Sequence, residues 1–318
     1  MKTKILNFKP TAFWLSVAFM AFSAFSSCKK DDDKTTQTNT TITDVVSANA
    51  SYSILKAAVV KAGLATTLSG TGPFTVFAPA DDAFTADGIT MNTVNSLSAD
   101  QLKSILLYHT LAAKVTSSNV PAGPNAAVAT AGSDSIYVTK NSKGAFVNGV
   151  PVVKADIAAS NGVIHSLGSV LMPPAGNIVE VAQADTTFLY LVAAAVRASQ
   201  GTTKVAQVLA GAGPYTVFAP TNNAFRAAGF ATVAAINSAD PNTLASILTY
   251  HVISGRIFSS DLTDGAQPAT LNGGEVTIGL TSGATVKGNT NTSPSKIVAA
   301  NIVATNGVIH VIDQVLLP

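Results

Sequence analysis

Cysteine is nearly absent from this 318-residue sequence: Cys28 is the only one. No intrachain disulfide can form, so the fold must be held by packing and hydrogen bonds. Tryptophan is as scarce, with Trp14 alone. Stacking on tryptophan, a common grip on sugars, is unavailable once the start of the chain is removed. Charged residues make up 11% of the chain and histidine occurs four times. The formal net charge of +2 carries no basic patch, which argues against nucleic-acid binding. Apolar residues, at 47%, are plentiful enough to fill a core.

The slight basicity comes from the N-terminus. Lys2, Lys4 and Lys9 precede an uncharged apolar run from Thr11 to Phe25, and Ser26-Ser27 come just before Cys28. This is the layout of a secretory signal peptide over residues 1–27, and the run is short for a membrane span. Its removal takes three lysines and no acid, so 19 basic residues become 16 against 17 acidic ones and the net charge becomes −1. Residues 28–40 are charged or polar, with Lys29-Lys30-Asp31-Asp32-Asp33-Lys34 followed by Thr, Gln and Asn. Such a segment cannot bury enough apolar surface to order itself and reads as a flexible tether. A lone cysteine after small residues resembles the lipidation site of bacterial lipoproteins, although Phe25 stands where they usually carry an aliphatic residue. The Cys-Lys-Lys-Asp-Asp-Asp start resembles the export tag of surface lipoproteins in some Gram-negative bacteria. These resemblances imply secretion across the inner membrane and a lipid anchor at Cys28 in the outer membrane, facing the exterior.

The remainder says one thing twice. Gly72-Pro73-Phe74-Thr75-Val76-Phe77-Ala78-Pro79 returns as Gly213-Pro214-Tyr215-Thr216-Val217-Phe218-Ala219-Pro220. Tyr108-His109 returns as Tyr250-His251, and Asn161-Gly162-Val163-Ile164-His165 as Asn306-Gly307-Val308-Ile309-His310. All four histidines fall in these blocks. Two copies of one domain are expected, at 41–174 and 175–318, a period too long for a solenoid unit. The final proline closes the second copy, with no room for a C-terminal anchor expected.

Within a repeat, helices come first and strands later, which predicts an α+β domain. Ile54, Leu55, Ala58, Val59 and Ala62 mark one helical face, matched by Leu191, Ala194, Ala195 and Ala198. Phe74–Phe77 and Tyr215–Phe218 read as short buried strands ended by Pro79 and Pro220. Asp81-Asp82 and Asn222-Asn223 suit a turn or helix cap. Ser98 and Gln101 form a capping-box pattern ahead of Leu102, Ile105, Leu106 and His109, one stripe of a helix. Asp240 and Pro241 start its counterpart. Strands follow at 136–138, 145–147 and 150–153, and at 275–280, 285–286, 297–299 and 302–303. Asn148-Gly149, Asn161-Gly162 and Asn306-Gly307 suit hairpin turns with positive φ. Val170–Pro173 and Val315–Pro318 read as closing strands, and 173–178 as a short stiff junction.

The three blocks resemble the signatures of the fasciclin (FAS1) domain family, in order and twice, over residues 41 to 318. The resemblance implies two wedge-shaped β-sandwiches with helices around them, a role in adhesion outside the cell, and neither catalysis nor a cofactor. Animal members use the Tyr-His motif in integrin binding. Tyr108, His109, Tyr250 and His251 are therefore the candidate interaction residues, with Leu106, Leu107 and Leu248 fitting beside them and polar Thr110 and Thr249 departing. Asp313, after the second signature, is Gly168 in repeat 1, which puts its role there in doubt.

The histidines of one repeat lie 56 or 59 residues apart, which is not a metal-type spacing, and no second cysteine can complete a zinc site. No nucleophile elbow is present, and Gly70-Thr71-Gly72 leads into a strand where a phosphate loop leads into a helix. The four histidines read first as buried, hydrogen-bonded core residues. The expected function is non-enzymatic: a surface lipoprotein that binds a protein or cell-surface ligand. The alternative is a glycan-capturing surface lipoprotein of a nutrient-uptake system, with Tyr137, Tyr190 and Tyr215 as its possible platforms.

Overall fold

The computed structural model describes residues 39–120 and 123–318. The signal segment, Cys28 and most of the tether lie outside the described residues.

Repeat 1 begins with α1 (Ile42–Ala48), α2 (Ser53–Lys61), α3 (Ala65–Leu68), β1 (Phe74–Pro79), α4 (Asp81–Ala86), α5 (Met91–Ser96) and α6 (Ala99–Tyr108). Then come β2 (Thr110–Leu111), β3 (Gly123–Ala129), β4 (Ser135–Asn141), β5 (Gly144–Val147), β6 (Val150–Ala159) and β7 (Gly162–Leu167). Repeat 2 begins with α7 (Ile178–Ala184), α8 (Leu189–Ala198), α9 (Val205–Ala210), β8 (Tyr215–Pro220), α10 (Asn222–Ala227), α11 (Val233–Ser238) and α12 (Pro241–Tyr250). It ends with β9 (Val252–Ser254), β10 (Thr277–Gly279), β11 (Thr285–Lys287), β12 (Ser295–Ala304) and β13 (Gly307–Ile312). Among the described residues no single helix is long and apolar enough to cross a membrane.

Each repeat is closed by its two signature blocks. β1 pairs in parallel with β7, and β8 with β13, so the first long strand lies beside the last. The ladder is continuous, in the order β2-β1-β7-β6-β5-β4-β3 in repeat 1 and β10-β11-β12-β13-β8-β9 in repeat 2. Side chains alternate across it, as strand geometry requires. Val76 and Ala78 pack with the helices, on Leu55, Leu102 and Leu106. Phe77 points the other way, into a second core with Ile136, Val138 and Val147 of β4 and β5. The sheet thus curls until its two ends face each other, with helices on its outer side.

The curl is made at β6 and β12. Both carry register shifts against the neighbouring strand, and a β-bulge bends and twists the strand that bears it. At the bulges Asp156 (φ +58°) and Asn301 (φ +65°) take the left-handed conformation, which Asp and Asn tolerate best among residues with a side chain.

Several local expectations hold. Ser98 and Gln101 form the capping box of α6, and Asp240 caps α12 with Pro241 in its first turn. Asn148 (φ +50°) and Gly149 (φ +77°) make the β5–β6 hairpin turn. Other expectations are corrected. Asn161-Gly162 and Asn306-Gly307 turn without positive φ. Their glycines are required because a Cβ on Gly162 would lie 2.1 Å from the Phe74 carbonyl oxygen, and one on Gly307 2.3 Å from that of Tyr215. Val170–Pro173 and Val315–Pro318 join no ladder; the backbone there is engaged by histidine side chains instead. α1 and α7 were not foreseen, because each is only two turns long and offers few apolar positions to a periodicity count. Both are capped, by Thr41 with Asp44 and by Asn177 with Glu180.

The repeats also pack against each other. Asn125 Nδ2 donates to Arg256 O (2.6 Å), Asn141 Nδ2 to Ser260 O (3.2 Å) and Lys143 Nζ to Leu262 O (3.0 Å). The Tyr137 and Phe258 rings are 6.0 Å apart. Gly149 meets the Asn301 side chain so closely that a Cβ would lie 2.6 Å from its amide nitrogen.

Candidate functional site

The Tyr-His pairs sit where a helix hands the chain to the sheet. His109 and His251 are the C-caps of α6 and α12. Adjacent side chains there point to opposite layers. Tyr108 enters the core enclosed by the curled sheet, where Asn148 Nδ2 donates to its hydroxyl (2.9 Å) and the hydroxyl donates to Ser135 O (3.2 Å). Burial pushes the Tyr108 hydroxyl up to about 12. Tyr250 repeats the arrangement, donating to Glu275 O and accepting from Asn289 N.

His109 turns the other way. Its Nδ1 pairs with Ile105 O (2.9 Å), so Nδ1 carries the proton, and Nε2 accepts from Leu171 N (2.9 Å). His251 makes the same bonds, to Ile247 O (2.8 Å) and from Leu316 N (2.8 Å). Each imidazole thus ties the end of a helix to the closing segment of its repeat. A cation cannot accept the backbone N–H, and both rings are buried. Burial accordingly pushes both histidines down to about 4.

The second histidines serve the bulges. His165 Nε2 donates to Val115 O (2.8 Å) and its Nδ1 accepts from Asp156 N (3.2 Å). His310 does the same with Ile257 O (2.8 Å) and Asn301 N (3.4 Å), and burial lowers its pKa. The bulged Asp156 and Asn301 then accept from Ser117 N and Ser259 N through their side chains. All eight imidazole nitrogens are therefore committed to backbone, which leaves none free to bind a metal or to act on a substrate. No group of three or more His, Cys, Asp or Glu is placed to hold a metal among the described residues.

The four candidate interaction residues are at most 3% exposed. Their side chains offer a partner no direct contact surface. What they fix is the backbone that carries exposed neighbours: Met172 (55% exposed) follows Leu171, and Leu317 (36%) follows Leu316.

Sequence reasoning missed two polar clamps. Asn161 Oδ1 accepts from Ile42 N at the start of α1, while Nδ2 donates to Leu68 O and Gly70 O. Asn306 makes the same three bonds to Ile178 N, Leu209 O and Gly211 O. Five identical consecutive residues in both copies were the available signal. Asp81 and Asn222 do not cap their own helices. They reach back to the start of the first long helix, at Ile54 N (2.9 Å) and Tyr190 N (3.0 Å). Asp313 accepts from Lys296 N and Ser295 Oγ. In repeat 1 the position matching Lys296 is Pro151, which has no N–H to give, so a carboxylate at Gly168 would lack that donor.

Residues 50–173 and again 191–318 match the model of the Fasciclin domain. The chain belongs to the fasciclin family. It is similar to Protein sll1483 of Synechocystis sp. (38% identical over 171 residues, 52% of this chain and 92% of that one). Similarity extends to the transforming growth factor-beta-induced protein ig-h3 of Sus scrofa (29% over 257 residues, 79% of this chain), of whose length it spans 35%. Among solved structures, a FAS1 domain pair from the insect cell adhesion molecule Fasciclin I matches at 18% identity and a TM-score of 0.42, covering 83% of this chain and 96% of that one. The two fasciclin domains here are tandem copies, each with a curled sheet and its own helices. α1 and α7 precede the matched stretches, yet Ile42 and Ile178 are buried in the cores.

Proposed function

We propose that this chain is a non-enzymatic, lipid-anchored cell-surface protein whose two fasciclin domains, 41–174 and 175–318, hold protein partners at two matching points. One observation carries this reading. Large apolar side chains left exposed recur at equivalent places in both domains: Val60 (63%) and Val196 (54%), Val153 (61%) and Val298 (56%), Met172 and Leu317. A single exposed apolar residue is unremarkable, but the same positions exposed twice mark matching points on the surface of each domain. The Tyr-His pairs act from beneath it, setting the position of Met172 and Leu317. Cys28 supplies the lipid attachment, residues 28–40 the reach, and the packed seam a fixed spacing between the two points.

Glycan capture has less support. The Tyr137 ring lies under Arg256 and Tyr190 is 9% exposed, so two of the three tyrosine platforms are occupied by the fold.

The test is binding of the mature chain to a panel of matrix and cell-surface proteins beside a panel of polysaccharides. Saturable protein binding that falls in Val60→Ser and in Val196→Ser supports the reading; saturable polysaccharide binding alone rejects it. Metabolic labelling with a fatty acid, lost in Cys28→Ala, tests the anchor separately.

A further inference from the structure

The helical layer of the first fasciclin domain is not filled. A cavity of about 220 Å³ lies between α2, α5 and α6, walled by Leu55, Val94, Leu97, Leu102 and Ile105 among others. No polar atom faces it. His109, its only wall residue with a ring nitrogen, has both nitrogens bonded to backbone. A water molecule needs two to four polar partners to stay in a cavity, so this space does not hold ordered water. An empty apolar void of this size is destabilising in proportion to its volume.

The second domain treats the same region differently. Equivalent positions can be identified by equivalent bonds. Ile54 N and Tyr190 N bond Asp81 and Asn222 respectively. Ile89 N and Phe230 N bond the carbonyls of Phe84 and Phe225. Where the first domain has Ile54 and Ile89, the second therefore has Tyr190 and Phe230. Both rings pack on Phe225, with centroids 6.3 and 6.2 Å away. The Tyr190 hydroxyl finds Ala231 O (3.1 Å). At the position of Ile89, a wall of the first domain's cavity, the second domain places the Phe230 ring.

We propose that the first fasciclin domain binds a small, uncharged, ring-containing molecule in this cavity, and that the second does not. An apolar cavity of roughly 150 Å³ accepts benzene, so the larger volume admits one substituted ring or two fused rings. Charged and strongly polar compounds are excluded, since nothing in the wall could replace their hydration. The way in passes Met172, whose unbranched side chain is exposed at the rim and can swing aside without moving backbone. This site shares Met172 with the protein-contact surface proposed above, but its other apolar walls are buried or half-buried and it does not depend on that reading.

The experiment is a titration of the methyl-labelled full chain with toluene and then naphthalene, followed by NMR, with the melting temperature read in parallel. Saturable shifts confined to methyls such as Leu55, Leu102 and Ile105, with a rise in melting temperature, are expected. Ile89→Phe imports the ring of the second domain and should abolish the saturable shifts while raising the melting temperature of the free protein. Xenon, which needs no variant, should shift the same methyls. The proposal is overturned if no shift saturates, or if Leu191, Leu244 and Leu248 of the second domain respond equally. Unchanged toluene binding in folded Ile89→Phe also overturns it.

Discussion

The guanidinium carbon of Arg256 lies 4.2 Å from the centre of the Tyr137 ring, across the seam between the two fasciclin domains. Arg256 is 8% exposed. Its terminal nitrogens donate to the carbonyls of Ala304, Thr305 and Gly307. Those carbonyls flank Asn306, which holds α7 in place. On the other side, Tyr137 pairs through its backbone with Asn148, whose amide bonds the Tyr108 hydroxyl. A line of contacts thus runs from the Tyr-His clamp of one domain to the signature turn of the other. Lys114, the matching residue of the first domain, is exposed.

Arg256→Ala leaves buried carbonyls without their donor and uncovers the Tyr137 ring. A loss of about 1–3 kcal/mol is expected. Spin labels placed one on each domain should show a broadened distance distribution. Arg256→Lys should rescue little, because an ammonium cannot reproduce the planar fork over three carbonyls and a ring.

His251→Ala removes two backbone bonds in a fully buried site. A cost of about 1–3 kcal/mol lowers the melting temperature of the second domain by several degrees. Hydrogen exchange at Leu316 N, which has lost its acceptor, should rise before exchange in β13 does. An unchanged melting temperature would contradict the structural role of the ring.

Acid should weaken both domains. His109 and His251 titrate near 4 in the folded chain, against an ordinary 6.5. Between these values the unfolded chain binds more protons, so stability rises with pH there, is complete above about 6.5 and is lost on the way down to about 4. Together the two rings remove about 3–4 kcal/mol between pH 7 and pH 5. Asp44, Asp156 and Asp240, held below the usual carboxylate range by the hydrogen bonds they accept, act in the same direction but below about pH 4, a separate window. Urea midpoints at pH 7 and pH 5, for the wild type and for His251→Gln, check the assignment: the variant should show the shallower loss.

Asn306→Ala releases three backbone groups at once, including the first N–H of α7. Hydrogen exchange should accelerate through α7 while β8 and β13 stay protected. Gly307→Ala should cost more, since its methyl would strike the Tyr215 carbonyl oxygen across a paired strand.

Much of this fold was legible in the sequence, because the repeated blocks coincide with the parallel strand pair that joins the first long strand of each repeat to its last. The caps Ser98 and Asp240 were legible too, since they act within one turn. The roles of Asn161 and Arg256 were not. Asn161 bonds Ile42, 119 residues away, and Arg256 meets Tyr137 in another domain; nothing local announces such partners. The Asn-Gly pair at 161 does mark a hairpin, between β6 and β7, but its glycine is needed for closeness to Phe74 and not for positive φ, and its asparagine for side-chain bonds. The Tyr-His pairs stood out as a repeated motif, but only burial shows that the rings are covered while Met172 and Leu317 beside their partners are exposed.

The most direct test compares partner binding by Met172→Ser, Leu317→Ser and the double variant, after calorimetry has established that all three melt with the wild type. If two matching surfaces act together, each single variant should lose about 10²-fold or more in apparent affinity through lost avidity, and the double variant should not bind. Single variants that bind as tightly as the wild type would contradict the two-point account.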